Sequence, residues 1–300
     1  MRRLGTLLTL ILVVAACGAS AAEHKLFAWR VSGDPADDPG TVYLLGSIHV
    51  GKPDLYPLPQ PIEHAFAGSA ELVEEIDMSG ANLALLQQQI LQRGLYTGGD
   101  KLENHLSPTT RAALAAYLQR TGQMHTALSA MRPWLADMQI LGAQLQALGF
   151  APQYAIDRHF LDEAAAAKKP VAGLETIGFQ VDLLSGLPDD LQDKLVFSEL
   201  VDADNLAGDA AALVQAWRAG DTAGLEAIAT RAEREHPELQ SLTEAVVYKR
   251  NAAMARQVAD FLKTPTTRFV VVGSMHLIGD RGILKLLADK GYRIEQLRAQ

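Results

Sequence analysis

Two apolar runs near opposite ends of the chain close on the same pattern: TVYLLGSIHVG, Thr41 to Gly51, and RFVVVGSMHLIGD, Arg268 to Asp280. Each is built of β-formers and ends at a glycine, as a strand does when it turns sharply out of a sheet. In open α/β sheets, ligands collect beyond the carboxyl ends of the strands, where loops leave side chains free to converge. If the two motif strands are parallel neighbours, both Gly-Ser-x-His turns emerge on one edge, and His49 and His276 face one another across a crevice. The chain has only 8 histidines, so the matched setting of these two weighs toward a site.

The intervening sequence reads as α/β with an insertion. HKLFAWRV and TVYLLG, separated by the acidic turn SGDPADDPG, suit a hairpin with a long loop. Pro61 is placed to open the helix PIEHAFAGS, and AELVEEID, Ala70 to Asp77, follows as a strand. Strand, motif, helix and strand make an α/β beginning. From Asn82 to about Gly149 the apolar spacing is helical, with Ser107 and Pro108 placed to start one helix. YAIDRHFLDEAAAAKK is a further helix, PVAGLE a short strand and TIGFQVDLLSGL helical again. Leu187 to about Lys263 is nearly all helix, broken at Gly186, Gly208, Gly220 and Pro237, before the chain returns to strand, helix and strand. The expected organisation is one domain over residues 23–300 with a helical insertion at about 80–168. No tandem repeat accompanies the recurring motif, so the likeness is between two strand ends only.

Residues 1–22 read as an export leader: Arg2 and Arg3, then an apolar stretch from Leu4 to Ala16, then small residues. The stretch is shorter than the roughly 20 residues that a spanning helix needs. Small residues suit cleavage near Ala21 or Ala22, while VAAC, Val14 to Cys17, resembles a lipobox; both outcomes place the protein in the periplasm or cell envelope. Membrane association is expected only through a lipid on Cys17. Cys17 is the sole cysteine, so the mature chain has no disulfide, thiolate ligand or cysteine nucleophile. The formal charge is −8, or −10 once Arg2 and Arg3 leave with the leader, and no basic stripe is present. Nucleic acid is therefore not an expected partner.

Two neutral imidazoles and a carboxylate with an open position make a common hydrolytic metal site. Alternation along Ala70 to Asp77 puts Glu71, Val73, Glu75 and Asp77 on one face and Leu72, Glu74 and Ile76 on the other. Glu75 is the first choice as ligand or general base, with Glu74 in reserve. Ser47 and Ser274 lie inside the motifs but lack an elbow pattern, and are read as bonding the turns. HExxH, Walker, GxGxxG and GxSxG signatures are absent.

The segments YLLGSIHVGKPDLYPLP, AELVEEID, PWLADMQI, YAIDRHFLDEAAAAKKPVAGLETIGFQ and RNAAMARQVADFL, with FVVVGSMHLIGDRGILKLLADKGYRI, together resemble the TraB/GumN family. That family comprises bacterial relatives of the Tiki metalloproteases, with more distant kinship to erythromycin esterase and ChaN-type proteins. The resemblance implies a single α/β domain, a central mixed sheet with flanking helices and a large helical insertion, bearing a metal-dependent peptidase-like site. It places the two GxxH histidines at His49 and His276, the acidic strand residue at Glu75 and the helix arginine at Arg250, with Asp157 and Glu175 at familiar positions. Arg250 has the planar, permanently charged fork suited to a carboxylate or oxyanion. For Asp157 and Glu175, read from the residues themselves, the capping of backbone N–H groups is the favoured role.

The leading expectation is an exported hydrolase of peptide or protein substrates, in which His49, His276 and Glu75 hold manganese, cobalt, zinc or iron and Arg250 stabilises negative charge. A non-catalytic envelope protein holding iron or haem through the same histidines, and a metal-free histidine-dependent esterase, are the alternatives. The leader makes its own prediction: a lipidated protein partitions with membranes or detergent and Cys17→Ala releases it. An intact mass starting at Ala22 or Glu23 means ordinary cleavage instead.

Overall fold

The computed structural model describes residues 24–34, 37–122, 125–235 and 237–299. The leader at residues 1–22, with Cys17, lies outside the described residues. The strands are β1 (Lys25–Ser32), β2 (Thr41–Ser47), β3 (Glu71–Ile76), β4 (Val171–Glu175), β5 (Thr267–Gly273) and β6 (Arg293–Arg298). They form one mixed sheet in the order β4-β3-β5-β2-β1-β6. β4, β3, β5 and β2 run parallel, and β1 is antiparallel to both β2 and β6. The two motif strands are therefore parallel neighbours, with Ser47 opposite Gly273. β5 reads as a continuous apolar run because it lies in the middle of a parallel sheet covered on both faces.

The helices are α1 (Gln60–Ala67), α2 (Ala81–Gly94), α3 (Pro108–Thr121), α4 (His125–Ser129), α5 (Pro133–Ala147), α6 (Ile156–Ala167) and α7 (Ile177–Ser185). They continue with α8 (Asp189–Val201), α9 (Leu206–Arg218), α10 (Thr222–Glu235), α11 (Gln240–Thr243), α12 (Lys249–Leu262) and α13 (Ile283–Ala288). Local chemistry starts several of them. Ser107 accepts from the Thr110 N–H with Pro108 behind it, and Thr176 accepts from the Phe179 N–H. Gly208, expected to break the chain, lies inside α9; an exposed glycine in a helix costs only about 1 kcal/mol, and its neighbours carry the helix through. Gly220 does end that helix, at φ +60°.

The main core joins both faces of the sheet to α1, α6, α9 and α12. α12 is amphipathic, burying Asn251, Met254, Ala255, Val258 and Leu262 along one stripe. α9 is pinned to the sheet where the Trp217 indole donates to the Gly46 carbonyl at 2.6 Å. A second core holds α3, α5 and α8 together through Leu114, Tyr117, Ile140 and Val196. Within the insertion, α6 thus lies on the sheet, while α3 and α5 pack away from it with α8. No helix among the described residues is long and apolar enough to cross a membrane.

The interface of α5 and α8 contains two carboxyls. Burial pushes Asp137 up to about 7, and burial followed by the charges of Asp137 and Asp202 pushes Glu199 up to about 7. Unfolded, such groups titrate near 4. Folding therefore takes up protons between about pH 4 and pH 7, and the stability present below that window is lost as the pH rises through it. Asp137→Asn is expected to melt a few degrees above the wild type at pH 8 and to differ little from it at pH 5. Equal differences at both pH values in thermal denaturation would count against this account.

Candidate functional site

The parallel strands deliver one residue each to the same edge: His49 follows β2, Glu75 lies near the end of β3, Glu175 ends β4, and His276 closes the short 3-10 turn after β5. Helices complete the cluster, with Asp157 from the first turn of α6, Gln180 from α7, and Arg250 and Asn251 from the start of α12. His49, His276, Glu75, Asp157, Glu175 and Arg250 are brought together in one network of contacts. Glu74 borders the same crevice from the opposite face of β3.

Glu75 is the centre of the network. Its Oε1 lies 4.0 Å from His49 Nε2 and 3.6 Å from His276 Nε2, and accepts from the Gly273 N–H at 2.7 Å. The two ring nitrogens are thus no farther apart than the sum of the first two distances. Its Oε2 accepts from Arg250 Nη2 at 2.5 Å and Gln180 Nε2 at 3.1 Å. A Cβ at position 273 would stand 3.2 Å from both Glu75 Oε1 and His49 Nε2, so glycine is what lets the carboxylate reach the backbone.

Each imidazole is oriented from behind. His49 Nδ1 donates to Asp157 Oδ2 at 2.6 Å, and His276 Nδ1 donates to Asn251 Oδ1 at 2.6 Å. The Asn251 amide is itself set by its NH2 group, which donates to the Arg281 carbonyl at 2.9 Å. Both Nε2 atoms therefore face Glu75. That is the arrangement of metal-bound histidines, in which the other ring nitrogen is tied to a carboxylate or an amide oxygen.

The electrostatics divide the two rings. Packing opposes charge on His49, but the hydrogen bond and charge of Asp157, with Glu75 behind, raise its pKa. Burial brings His276 down to about 4, against the pull of Glu75. Burial would raise Glu75, yet His276, His49, Arg250 and the Gly273 N–H together hold it at about 2. Glu74, 2% exposed and without a hydrogen-bond partner, is pushed up to about 9 by burial and then by Asp157 and Asp77.

Arg250 is 8% exposed and wholly engaged by the protein. Nε donates to Glu175 Oε1 at 2.9 Å, Nη2 to Glu175 Oε2 at 2.6 Å and to Glu75, and Nη1 to the Val246 carbonyl at 2.7 Å and to His276 Nε2 at 3.2 Å. Val246 belongs to the π-helical turn Glu244–Tyr248 that leads into α12. Such turns recur at functional sites. This placement makes Arg250 the clamp on two carboxylates.

Among the described residues, no group of three or more His, Cys, Asp or Glu is spaced as metal ligands stand. Donors about 2.1 Å from one tetrahedral ion lie roughly 3.4 Å from one another, slightly closer than the separations from Glu75 Oε1. Two imidazoles and a carboxylate are donor types that divalent ions take, and in this arrangement they stand wider apart than the ligands of one ion.

A mixed sheet with flanking helices, whose parallel strands bring histidines and carboxylates to one edge, makes this an α/β protein. Its sequence matches the TraB/PrgY/gumN family over residues 27–296, and it is a member of that family. It is similar to the uncharacterized protein YbaP of Escherichia coli (strain K12) and of Shigella flexneri, 29% identical over 147 residues in each case. The match covers 49% of this chain and 53% of the relative, so the chain spans about half the length of these curated relatives. No solved structure matches.

Two further residues of the site, Asn251 and Gln180, are not among the candidates that the motifs mark. Asn251 carried a signal: it is a polar residue on the apolar stripe of α12, a position that needs a buried partner. Gln180, which also donates to Glu175 at 3.0 Å, carried none beyond its place in TIGFQ.

Arg250→Met leaves two buried carboxylates without their cation and is expected to cost about 3–5 kcal/mol in urea denaturation. Arg250→Lys should recover only part, because an ammonium cannot fork between Glu75 and Glu175. Adding Glu175→Gln to Arg250→Met should relieve the loss. A double variant no more stable than Arg250→Met would refute the clamp.

Proposed function

We propose that this TraB/PrgY/gumN protein is an exported, metal-dependent hydrolase of peptides or unfolded proteins. The observation that carries the reading is the pair of imidazoles, each fixed at Nδ1 by Asp157 or Asn251 and each directing Nε2 at one oxygen of Glu75. His49 Nε2, His276 Nε2 and Glu75 Oε1 are the atoms that would hold the ion, and manganese, cobalt, zinc and iron all suit such a donor set. When bound, the ion supplies Lewis-acid polarisation of a carbonyl and a water made acidic enough to attack it.

The chain's own residues prepare that chemistry. Glu75, Asp157 and Glu175 outnumber the cations beside them, Arg250 and the raised His49, so the cluster keeps an excess negative charge that favours a cation. Arg250 and Gln180 fix one oxygen of Glu75 and so leave the other turned toward the histidines. Asn251 keeps the neutral His276 ring in the tautomer with a lone pair on Nε2, while Asp157 orients His49, whose Nε2 proton a bound ion would replace. The peptide substrate class follows the resemblance to the Tiki-related proteases, and the export follows the leader at residues 1–22.

Elemental analysis of the purified mature protein tests the reading, alongside turnover of a peptide library or an unfolded protein. The wild type should carry close to one divalent ion per chain. His49→Ala and His276→Ala should each lose most of it, and the double variant little more, since the two act as a unit. Glu75→Gln should abolish turnover while keeping the fold. Full metal and full turnover in both Glu75→Gln and Glu74→Gln would sink the proposal, and metal without turnover of any peptide would leave a binding protein.

A further inference from the structure

Three polar atoms at the crevice remain unpartnered once the network around Glu75 is complete: both carboxyl oxygens of Glu74 and the hydroxyl of Ser47. The residues are 2% and 4% exposed, so bulk water does not reach them freely. Both line one cavity of about 370 Å³, with His49 and Asp157 on its polar side and Met78 and Met138 on its apolar side. Val271 of β5 lies on the same lining, as expected of the strand that separates β2 from β3. The volume falls in the range of small-ligand pockets. Buried polar groups in folded proteins have partners, and an orphaned set facing a cavity points to a ligand.

The chemistry of the orphans narrows the ligand. Two carboxyl oxygens and a hydroxyl oxygen ask for several donors on one centre, and a positive centre answers the burial and the acidic neighbours Asp157 and Asp77 that otherwise hold Glu74 protonated. A primary ammonium carries three N–H donors and one positive charge, and it leaves the thioether wall to an adjoining apolar group. Hard divalent ions want six or more oxygens, more than Glu74 and Ser47 supply, and the methionine sulfurs opposite do not make up the number.

We propose that Ser47 and Glu74 form a subsite for a primary ammonium, the free amino terminus of a peptide substrate, whose first side chain lies against Met78 and Met138. The assignment rests on the hydrolase reading and deepens it, because His49 borders both the subsite and the Glu75 cluster. The carbonyl one residue along from the ammonium is then the group presented to the histidines, and peptides with free amino ends are the preferred substrates. A lysine side chain offers the same ammonium from another source.

Calorimetric titration separates these cases without relying on turnover, using leucinamide, N-acetyl-leucinamide and Nα-acetyl-lysinamide. Leucinamide should bind the wild type at least tenfold more tightly than its acetylated form. Glu74→Gln, which keeps the shape, should weaken it tenfold or more, and Ser47→Ala severalfold. Preferential binding of Nα-acetyl-lysinamide would overturn the amino-terminal assignment in favour of a lysine side chain. Equal binding of leucinamide and its acetylated form, or binding of neither, overturns the ammonium subsite. A divalent ion lost in Glu74→Gln, with no leucinamide binding, makes the pocket a second metal site and overturns it too. The comparison of ligands on the wild type stands whether or not the variants fold. Cleavage of free and N-acetylated peptides at one rate would refute the subsite and leave the hydrolase, while tight leucinamide binding with no hydrolysis would do the reverse.

Discussion

The fork of Arg250 between Glu75 and Glu175 is the interaction on which the arrangement of the crevice depends. It joins the carboxyl ends of β3 and β4 to the first turn of α12, and α12 in turn brings Asn251 behind His276. A buried ion pair of this kind is seldom a net source of stability, because desolvation offsets most of the attraction. Its value lies in geometry. With Oε2 of Glu75 held by the guanidinium and Gln180, Oε1 has one orientation left, toward the two imidazoles and the Gly273 N–H.

The doubled glutamate gives the crevice two carboxyls of opposite character. Glu75 lies among cations and donors and stays ionised far below neutrality, whereas Glu74, one residue away, turns to the α6 face, where burial and acidic neighbours favour its protonated form. Strand alternation alone produces the separation.

Much of this was legible in the sequence, and the reasons are specific. The two Gly-Ser-x-His turns share one edge only if their strands are parallel neighbours, and β2 and β5 pair in parallel along their whole length. Strand alternation separated Glu74 from Glu75 but could not say which face would meet the histidines, since that depends on β5 lying between β3 and β2. Asp157 read first as a helix cap because its partner, His49, is more than a hundred residues away in the chain. Gly208 misled because its effect in a helix is small beside the propensity of its neighbours. The partners of Arg250 were beyond reach, for a charged residue near the start of a helix is ordinarily solvated, and its burial here is fixed by tertiary packing.

The position of β5 has a consequence for how the molecule comes into being. It is the inner strand that touches both β2 and β3, yet it follows nearly all of the helical sequence. A chain emerging from its amino end would hold β2 and β3 for most of its passage with no strand to join them, and contacts of such sequence separation form late. Arg250, Asn251 and His276 arrive in the same final portion. A chain interrupted before that portion carries His49 and Glu75 but neither their mate nor their clamp, so the fold withholds the assembled crevice from incomplete copies of itself.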